Sequence, residues 1–372
     1  MKGDRIVRLL ICAGGTGGGV YPALSVLQAL KNDAQPVLWV GGEGGMEAAL
    51  VTRSGVPFRA IPAAGVHGVG LRALPGNVAR LVRGTLAARR ILAEFRPDVL
   101  LFTGGYVAAP MAVAARRIPS LVFCPDVEPG LALKFLGRFA RTIAVTSPAS
   151  QAYFPARKTV VVTGYPLRPE LVRWEHESAR AHFGLSADLP VLLVTGGSKG
   201  AQTLNRAVLS ALPDLLALAQ VIHLTGSLDW PGVAGVQASL PSNLAGRYHP
   251  FEFLHDDMGA AMAVADLVVS RAGASSLGEY PFFGLPAVLV PYPFAWRYQK
   301  VNAAYLAEHG AAVLLPDEEM HTRLLAIVQD LLTHPQRLSA MRSAMQALAR
   351  PDAAGAIASL VRQLASQGKA GH

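Results

Sequence analysis

Cysteine is nearly absent from this chain: Cys12 and Cys124 are the only two in 372 residues. Two thiols build neither a disulfide framework nor a cysteine zinc cluster. Charge is scarce as well, at 16% Asp, Glu, Lys and Arg against about 25% in an average globular chain. With 51% apolar residues, that scarcity excludes an intrinsically disordered protein. Long hydrophobic runs are missing too. A membrane-spanning helix needs ~20 consecutive apolar residues, and the longest uncharged apolar stretch, Val99 to Ala115, is interrupted by Gly104, Gly105 and Pro110. The first apolar run, Ile6 to Cys12, passes straight into glycines, without the cleavage site of a secretory leader. A bacterial-type cytosol, or a cytosolic membrane face, is the simplest home for such a chain.

What charge there is, is unevenly spread. Residues 1–165 carry 19 Lys and Arg against 8 Asp and Glu, whereas the remainder carries 15 against 17, so the net +9 resides entirely in the first part. The length predicts about two domains. Apolar runs bounded by glycine and followed by helical periodicity recur, as in βα units around buried parallel strands. In the first part these runs are Arg8 to Cys12, Pro36 to Val40, Val99 to Phe102 and Ser120 to Phe123; the pattern restarts with Val191 to Thr195, Gln220 to Leu224, Leu267 to Ser270 and Ala287 to Pro291. The expected fold is α/β: two Rossmann-like domains with parallel sheets facing a cleft, residues 1–165 and 166–340, and closing helices in a tail over 341–372. Ligands of such sheets bind outside the carboxyl ends of the strands.

Three glycine-rich loops follow predicted strands. The first, Ala13 to Gly19, precedes a helix expected from about Tyr21 to Leu30. Glycines there admit a ligand close to the backbone and expose N–H groups at a helix start, which suits a phosphate or diphosphate; a tight turn without a ligand is the competing reading. The spacing is neither a Walker loop nor the dinucleotide fingerprint, which disfavours a nicotinamide cofactor. The second loop, Gly196 to Gly200, adds Ser198 and Lys199; the third, Ser270 to Ser276, leads into a helix carrying Glu279. A carboxylate placed so could accept both hydroxyls of a ribose, or be a plain solvated helix charge. His249 and His255 lack a third ligand at metal spacing and read as surface or structurally bonded residues, as does His67. Asp256 and Asp257 are expected to cap a helix starting near Met258.

Taken together the loops resemble one family, the bacterial glycosyltransferases (GT-B fold, family 28) that add N-acetylglucosamine to the lipid-linked muramyl-pentapeptide, the last cytoplasmic step of peptidoglycan precursor synthesis. The matching segments, in the family's order, are Gly14 to Leu24, Thr103 to Pro110, Gly164 to Arg168, Gly196 to Asn205, Asp256 to Glu279, Gly284 to Pro291 and Gln299 to Ala303. The resemblance implies a UDP-N-acetylglucosamine donor held mainly by the C-terminal domain and a lipid acceptor held by the N-terminal one. It places Arg168, Ser198, Gly200 and the backbone of Gly273 around the donor diphosphate, Glu279 on the ribose, Leu254 and His255 on the uracil, and Gln299 and Asn302 on the sugar. Thr16, Gly17, Gly18, Gly104, Gly105 and Tyr106 would form the loops for the acceptor diphosphate. A leaving UDP needs its developing charge stabilised by helix N-termini and cations, with no metal or other cofactor required. UDP-N-acetylglucosamine 2-epimerases share the fold, but the first glycine loop and the segment Thr103 to Pro110 look like the transferase.

Departures from the family pattern, all but Tyr298, cluster on the acceptor side. The family's histidine at the end of the first glycine loop is Gly19, its Glu-Gln-Asn segment aligns with Cys124-Pro125-Asp126, and the first of its paired glutamines is Tyr298. Inversion at the anomeric carbon needs a base within reach of the attacking hydroxyl. Asp126 is the candidate, with His67 second; a turn-capping role before Gly130 competes for Asp126. Three functions then stand: the family's own reaction, transfer to another lipid acceptor, or a nucleotide-sugar-binding protein without turnover.

Finally, Leu71 to Arg96 interleaves Arg72, Arg80, Arg83, Arg89, Arg90 and Arg96 with Leu, Val and Ile, and Leu131 to Arg141 repeats the composition. On an anionic lipid surface each such residue adds ~1 kcal/mol. An amphipathic helix packed on a sheet with a solvated arginine face is the expectation for the first segment itself, and membrane contact for the loops around it. The expected partners are therefore the nucleotide sugar, the lipid-linked acceptor and an anionic membrane surface, and no nucleic acid. The expected place is the cytoplasmic face of the membrane, as a peripheral protein.

Overall fold

A computed structural model of the chain describes residues 6–14, 17–45, 47–65, 72, 74–197, 200–294 and 298–369. The chain divides into two units, one comprising residues up to Arg168 together with those from Pro351 onward, the other Pro169–Arg350. The segment 341–372 accordingly serves both: the helix Pro335–Ala347 ends within the second unit, and the final helix, Ala353–Lys369, belongs to the first.

The first unit is built on seven parallel strands, β1 (Val7–Ala13), β2 (Ala34–Gly42), β3 (Phe58–Ile61), β4 (Val99–Gly104), β5 (Ser120–Cys124), β6 (Thr142–Val145) and β7 (Thr159–Val162), in the order β3-β2-β1-β4-β5-β6-β7. Around it lie α1 (Gly17–Leu30), α2 (Glu47–Arg53), α3 (Leu74–Phe95), α4 (Ala108–Ala114), α5 (Leu131–Phe139) and the final helix, which packs on α1, β4 and β5. The central strands are covered on both faces: Leu9, Leu10, Ile11 and Cys12 are all fully buried. That is why they read as continuous apolar runs rather than as an alternating pattern.

The second unit repeats the plan with six parallel strands, β8 (Val191–Thr195), β9 (Gln220–Leu224), β10 (Tyr248–Phe251), β11 (Leu267–Ser270), β12 (Ala287–Leu289) and β13 (Ala312–Leu314), ordered β10-β9-β8-β11-β12-β13. Both sheets reverse direction beside their first strand, between β1 and β4 and between β8 and β11. At such a switch point the two flanking loops diverge and leave a crevice.

The structure differs from the sequence reading in a few local respects. The first helix begins at Gly17, not Tyr21, so the run Gly17-Gly18-Gly19 is its first turn, where N–H groups have no intrahelical partner anyway. Strands β3, β6, β7, β10 and β13 were not anticipated. β3, β7, β10 and β13 are short and form sheet edges, and β6 is a four-residue run without a glycine loop after it. Asp257 stands at the N-cap position of the helix Met258–Val264 but makes no capping bond. Its backbone (φ −91°, ψ 0°) lacks the extended conformation that aims an N-cap side chain at the first turn. Its carboxylate lies instead 3.5 Å from Nε2 of His182.

The solvent side of α3 also differs from a purely arginine face, because Val78, Val82 and Leu86 are 47%, 56% and 51% exposed. They stand one turn apart on a single stripe. The neighbouring α4 and α5, which pack in sequence beside α3, expose Val113 and Leu131. Among the described residues no helix is long and apolar enough to cross a membrane.

Candidate functional site

In the first unit, the two loops at the switch point are those of the sequence reading. Gly104 and Gly105 have φ of +123° and +89°, a conformation that only glycine adopts without strain. Gly105 lies directly on Gly14: a Cβ there would fall 2.6 Å from the Gly14 carbonyl oxygen. Gly14 in turn covers a carboxylate. A Cβ on Gly14 would lie 2.6 Å from Oε1 of Glu47, and a Cβ on Gly41 or Gly45 would also collide with that group. Glu47 is buried on α2, and its Oε1 accepts a 2.8 Å hydrogen bond from the Gly42 amide. Part of the glycine content of the first loop therefore makes room for a buried carboxylate rather than for a ligand. Nothing in the local pattern signals this, since Glu47 reads as an ordinary first-turn acid.

Gly17 and Gly18 lie in the first turn of α1, and Tyr106, 63% exposed, lays its ring over Gly65. Thr16 and His67 fall outside the described residues. Gly19 is buried, and its carbonyl accepts a 2.6 Å bond from Thr103 Oγ1. A Cβ at this position would stand 3.2 Å from the Thr103 carbonyl, so α1 approaches the end of β4 more closely than a side chain comfortably allows.

Cys124, Pro125 and Asp126 follow β5 directly. Thr146 Oγ1 donates to the carbonyls of Cys124 (3.2 Å) and Pro125 (2.8 Å), fixing the strand end. Burial, reinforced by the negative charge of Asp126, pushes the Cys124 thiol far above its ordinary range. The thiol is thus held neutral and is unsuited to act as a base, whereas Asp126 is only half-buried. Two residues on, Glu128 is buried and paired with Lys134 at 3.1 Å. Arg168, at the end of the first stretch of this unit, places its guanidinium 4.6 Å over the ring of Tyr21, a cation–π contact.

In the second unit the expected donor residues gather at the carboxyl edge of the sheet. The turn after β8 closes with Gly200 N–H donating to the Gly197 carbonyl at 2.9 Å, both glycines having positive φ (+77° and +83°). Gly200 abuts β9's end so closely that a Cβ would stand 2.1 Å from the Thr225 carbonyl. Ser198 lies outside the described residues. Beyond this turn, the helix Gln202–Ser210 directs its N-terminal N–H groups back toward the loop.

The loop after β11 is fastened at three points. Ser276 Oγ donates to the Gly273 carbonyl (2.6 Å), Asn302 Nδ2 to the Ala272 carbonyl (3.2 Å), and Tyr280 Oη to Ser270 Oγ (2.8 Å). Space beside Gly273 is open, and Glu279 sits one turn into the following helix Ser276–Phe283, half-buried. Asn302 is fully buried, and Gln299 accepts from the Tyr292 amide at 2.8 Å. Both side chains therefore hold loops that border the site. Leu254 is buried, while His255 is exposed and packs against Phe253 with ring centroids 4.7 Å apart.

Two features escaped the sequence reading. Arg271, directly after β11, is almost buried: it pairs with Asp317 and donates to Thr203 Oγ1 (2.8 Å) and the Val290 carbonyl (3.2 Å). One cation thus joins the loop after β11 to the first turn of the helix Gln202–Ser210, the chain after β12 and the 3-10 turn at Asp317, the last of which is 46 residues away. The second feature is a buried relay behind the Gly200 turn. Asn205 Nδ2 donates to the Thr225 carbonyl (2.8 Å) and to Asp229 (2.7 Å), so Asn205 Oδ1 is the acceptor for Nε2 of His223 at 3.0 Å. That fixes the proton on Nε2 and leaves Nδ1 to accept from the Tyr248 hydroxyl at 2.9 Å. Burial lowers the His223 pKa to about 4, consistent with a neutral ring.

The whole arrangement has known counterparts. The N-terminal domain of glycosyltransferase family 28 matches residues 9–145 and its C-terminal domain residues 191–357. The UDP-N-acetylglucosamine–N-acetylmuramyl-(pentapeptide) pyrophosphoryl-undecaprenol N-acetylglucosamine transferase of Roseiflexus sp. (strain RS-1) is 41% identical, covering 96% of this chain and 95% of its own. The enzyme of the same name from Desulforudis audaxviator is 39% identical over 97% of this chain and its full length. Among solved structures, MurG of Acinetobacter baumannii superposes with a TM-score of 0.77 at 30% identity, covering 96% of this chain and 99% of that one. A UDP-GlcNAc 2-epimerase from Neisseria meningitidis reaches a TM-score of 0.66 at 14% identity over 96% of this chain and all of that one, a likeness of fold alone. With both family domains matched in order and near-complete coverage by these relatives, the chain belongs to glycosyltransferase family 28.

Proposed function

We propose that this chain transfers N-acetylglucosamine from UDP-N-acetylglucosamine to undecaprenyl-diphosphate-linked muramoyl-pentapeptide, converting lipid I to lipid II in peptidoglycan synthesis. The observation that carries this reading is the identity of 41% and 39% to two transferases of that name, extending through both units. The reaction is inverting: the acceptor hydroxyl oxygen forms a bond to the anomeric carbon, the bond from that carbon to the diphosphate breaks, and UDP leaves. The charge developing on UDP is met by the N-terminus of the helix Gln202–Ser210, the Gly197–Gly200 turn with Ser198, and Arg168. Glu279 holds the ribose, the loop at Leu254 and His255 the uracil, and Gln299 with Asn302 shape the sugar end. No metal or other cofactor takes part.

The proton released by the attacking hydroxyl goes to Asp126, the ionisable group at the carboxyl end of β5, beside a thiol that is itself held neutral. General-base catalysis contributes typically 10²–10⁴-fold. Asp126→Asn is therefore expected to lower kcat by about that factor while KM for UDP-N-acetylglucosamine stays within a few-fold; wild-type turnover would eliminate Asp126 as the base. The function itself is tested by UDP release from UDP-N-acetylglucosamine with and without a lipid-linked muramyl-pentapeptide analogue. Acceptor-dependent release is expected, and donor binding without it would overturn the reading.

The lipid acceptor requires approach to a membrane, and the exposed stripe of Val78, Val82 and Leu86 on α3, with Arg89 beside it, supplies apolar insertion plus cationic attraction. The protein works at the cytoplasmic face as a peripheral enzyme, and nucleic acid is not among its partners.

A further inference from the structure

A cavity of about 510 Å³, open to solvent, lies at the carboxyl edge of the first sheet, lined by Glu43, Gly44, Pro62, Ala63, Arg80 and Arg83. Its floor is the chain just beyond β2 and β3, and its wall is α3. These two elements meet at Gly84, where a Cβ would stand 2.1 Å from the Pro62 carbonyl oxygen. A second tie, from Asn77 Nδ2 to the Gly65 carbonyl at 2.7 Å, holds the same connection against the helix two turns earlier. The concavity is thus set by direct backbone contact.

Arg80 and Arg83 stand on successive turns of α3 facing this cavity. Neither pairs with a carboxylate among the described residues, and the one acid on the rim, Glu43, leaves the lining with a net positive charge. At 100° per residue the two arginines lie roughly 130° around the helix from the apolar stripe of Val78, Val82 and Leu86. They therefore face the edge where ligands of such sheets bind, not the surface suited to a bilayer.

We infer that this cavity is a subsite for a carboxylate on the peptide arm of the acceptor, gripped by Arg80 and Arg83, with Glu43 accepting an adjacent N–H of the same arm. Two guanidinium forks provide paired donors for one carboxylate. The subsite rests on the proposed acceptor and assigns its peptide a binding role separate from that of the diphosphate loops.

The test uses the full chain and two acceptor analogues that differ only in whether the peptide carboxylates are free or amidated. For Arg83→Gln, and for Arg80→Ala with Arg83→Ala, KM for the free-carboxylate analogue is expected to rise about tenfold, while KM for the amidated one, kcat and KM for UDP-N-acetylglucosamine stay unchanged. Equal rises with both analogues, or no rise, overturn the subsite. Calorimetric titration of a lipid-free muramyl-pentapeptide into the wild-type and variant chains reads the same site without turnover, so its outcome is independent of the proposed reaction. Binding to vesicles of anionic phospholipid is expected to be the same for the variants and the wild type. A parallel loss there would assign the arginines to lipid headgroups and overturn the inference.

Discussion

Single buried side chains in this protein do work that their local sequence does not announce. His223 is the plainest case, because its partners fix its tautomer and burial holds its folded pKa at about 4, below the ordinary value near 6.5. The unfolded chain therefore binds more protons between those two values, and stability falls as the pH drops through that window. The loss amounts to roughly 3 kcal/mol at the lower end. Urea unfolding between pH 7 and pH 4.5 is expected to show this decline. In His223→Gln, whose amide can accept from Tyr248 and donate to Asn205 but cannot be protonated, the slope should flatten; an unchanged slope would remove His223 as its source. Glu47 and Arg271 follow the same logic. Their local contexts are a first-turn acid and a post-strand base, yet one shapes three glycines and the other joins three separate segments, through partners that only the folded chain supplies.

At the scale of elements, α3 separates two surfaces by rotation alone. Its buried side, through Gly84, Ala88, Ile91 and Leu92, faces the protein, its arginines at 80 and 83 line a cavity, and its apolar stripe is exposed. Val82→Asp is expected to weaken binding to anionic vesicles at low salt by at least several-fold without changing the melting temperature, since Val82 is 56% exposed and exposed substitutions are usually worth within about 0.5 kcal/mol. Vesicle cosedimentation alongside thermal unfolding checks both halves, and undiminished binding would remove the stripe as the docking element. The strands tell a complementary story. β1, β4, β8 and β11 were readable because buried parallel strands are mostly apolar and run into glycine-rich loops. β3, β10 and β13 were not, because three or four residues at or near a sheet edge carry too short a pattern to distinguish them from loop.

For the whole molecule the decisive feature is where the chain ends up. The final helix packs on α1, β4 and β5, burying Ile357, Val361 and Leu364, and Arg362 pairs with Asp33 at 2.8 Å. Burying an aliphatic side chain contributes about 1.5–3 kcal/mol, so three of them represent a large share of the 5–15 kcal/mol that is typical of a domain. A chain terminated after Arg350 is expected to lose protection from amide hydrogen exchange in β1 and β4 while β8 and β11 remain protected. Unchanged protection in the first unit would refute a stabilising role for this helix.

The amino-acid sequence by itself determined the α/β class, eight of the strands, the glycine loops at both switch points and, through several co-linear motifs, the family. Those properties reside in local periodicity and in residues with special backbone freedom, so short windows suffice to display them. Only the tertiary structure decided that Gly14 covers Glu47 and supports Gly105, that Arg271 finds Asp317, that Cys124 is held neutral beside Asp126, and that the last helix joins the first unit. Each of these depends on distant contacts or burial set by strand order and helix packing, and neither is encoded in any one stretch of the chain.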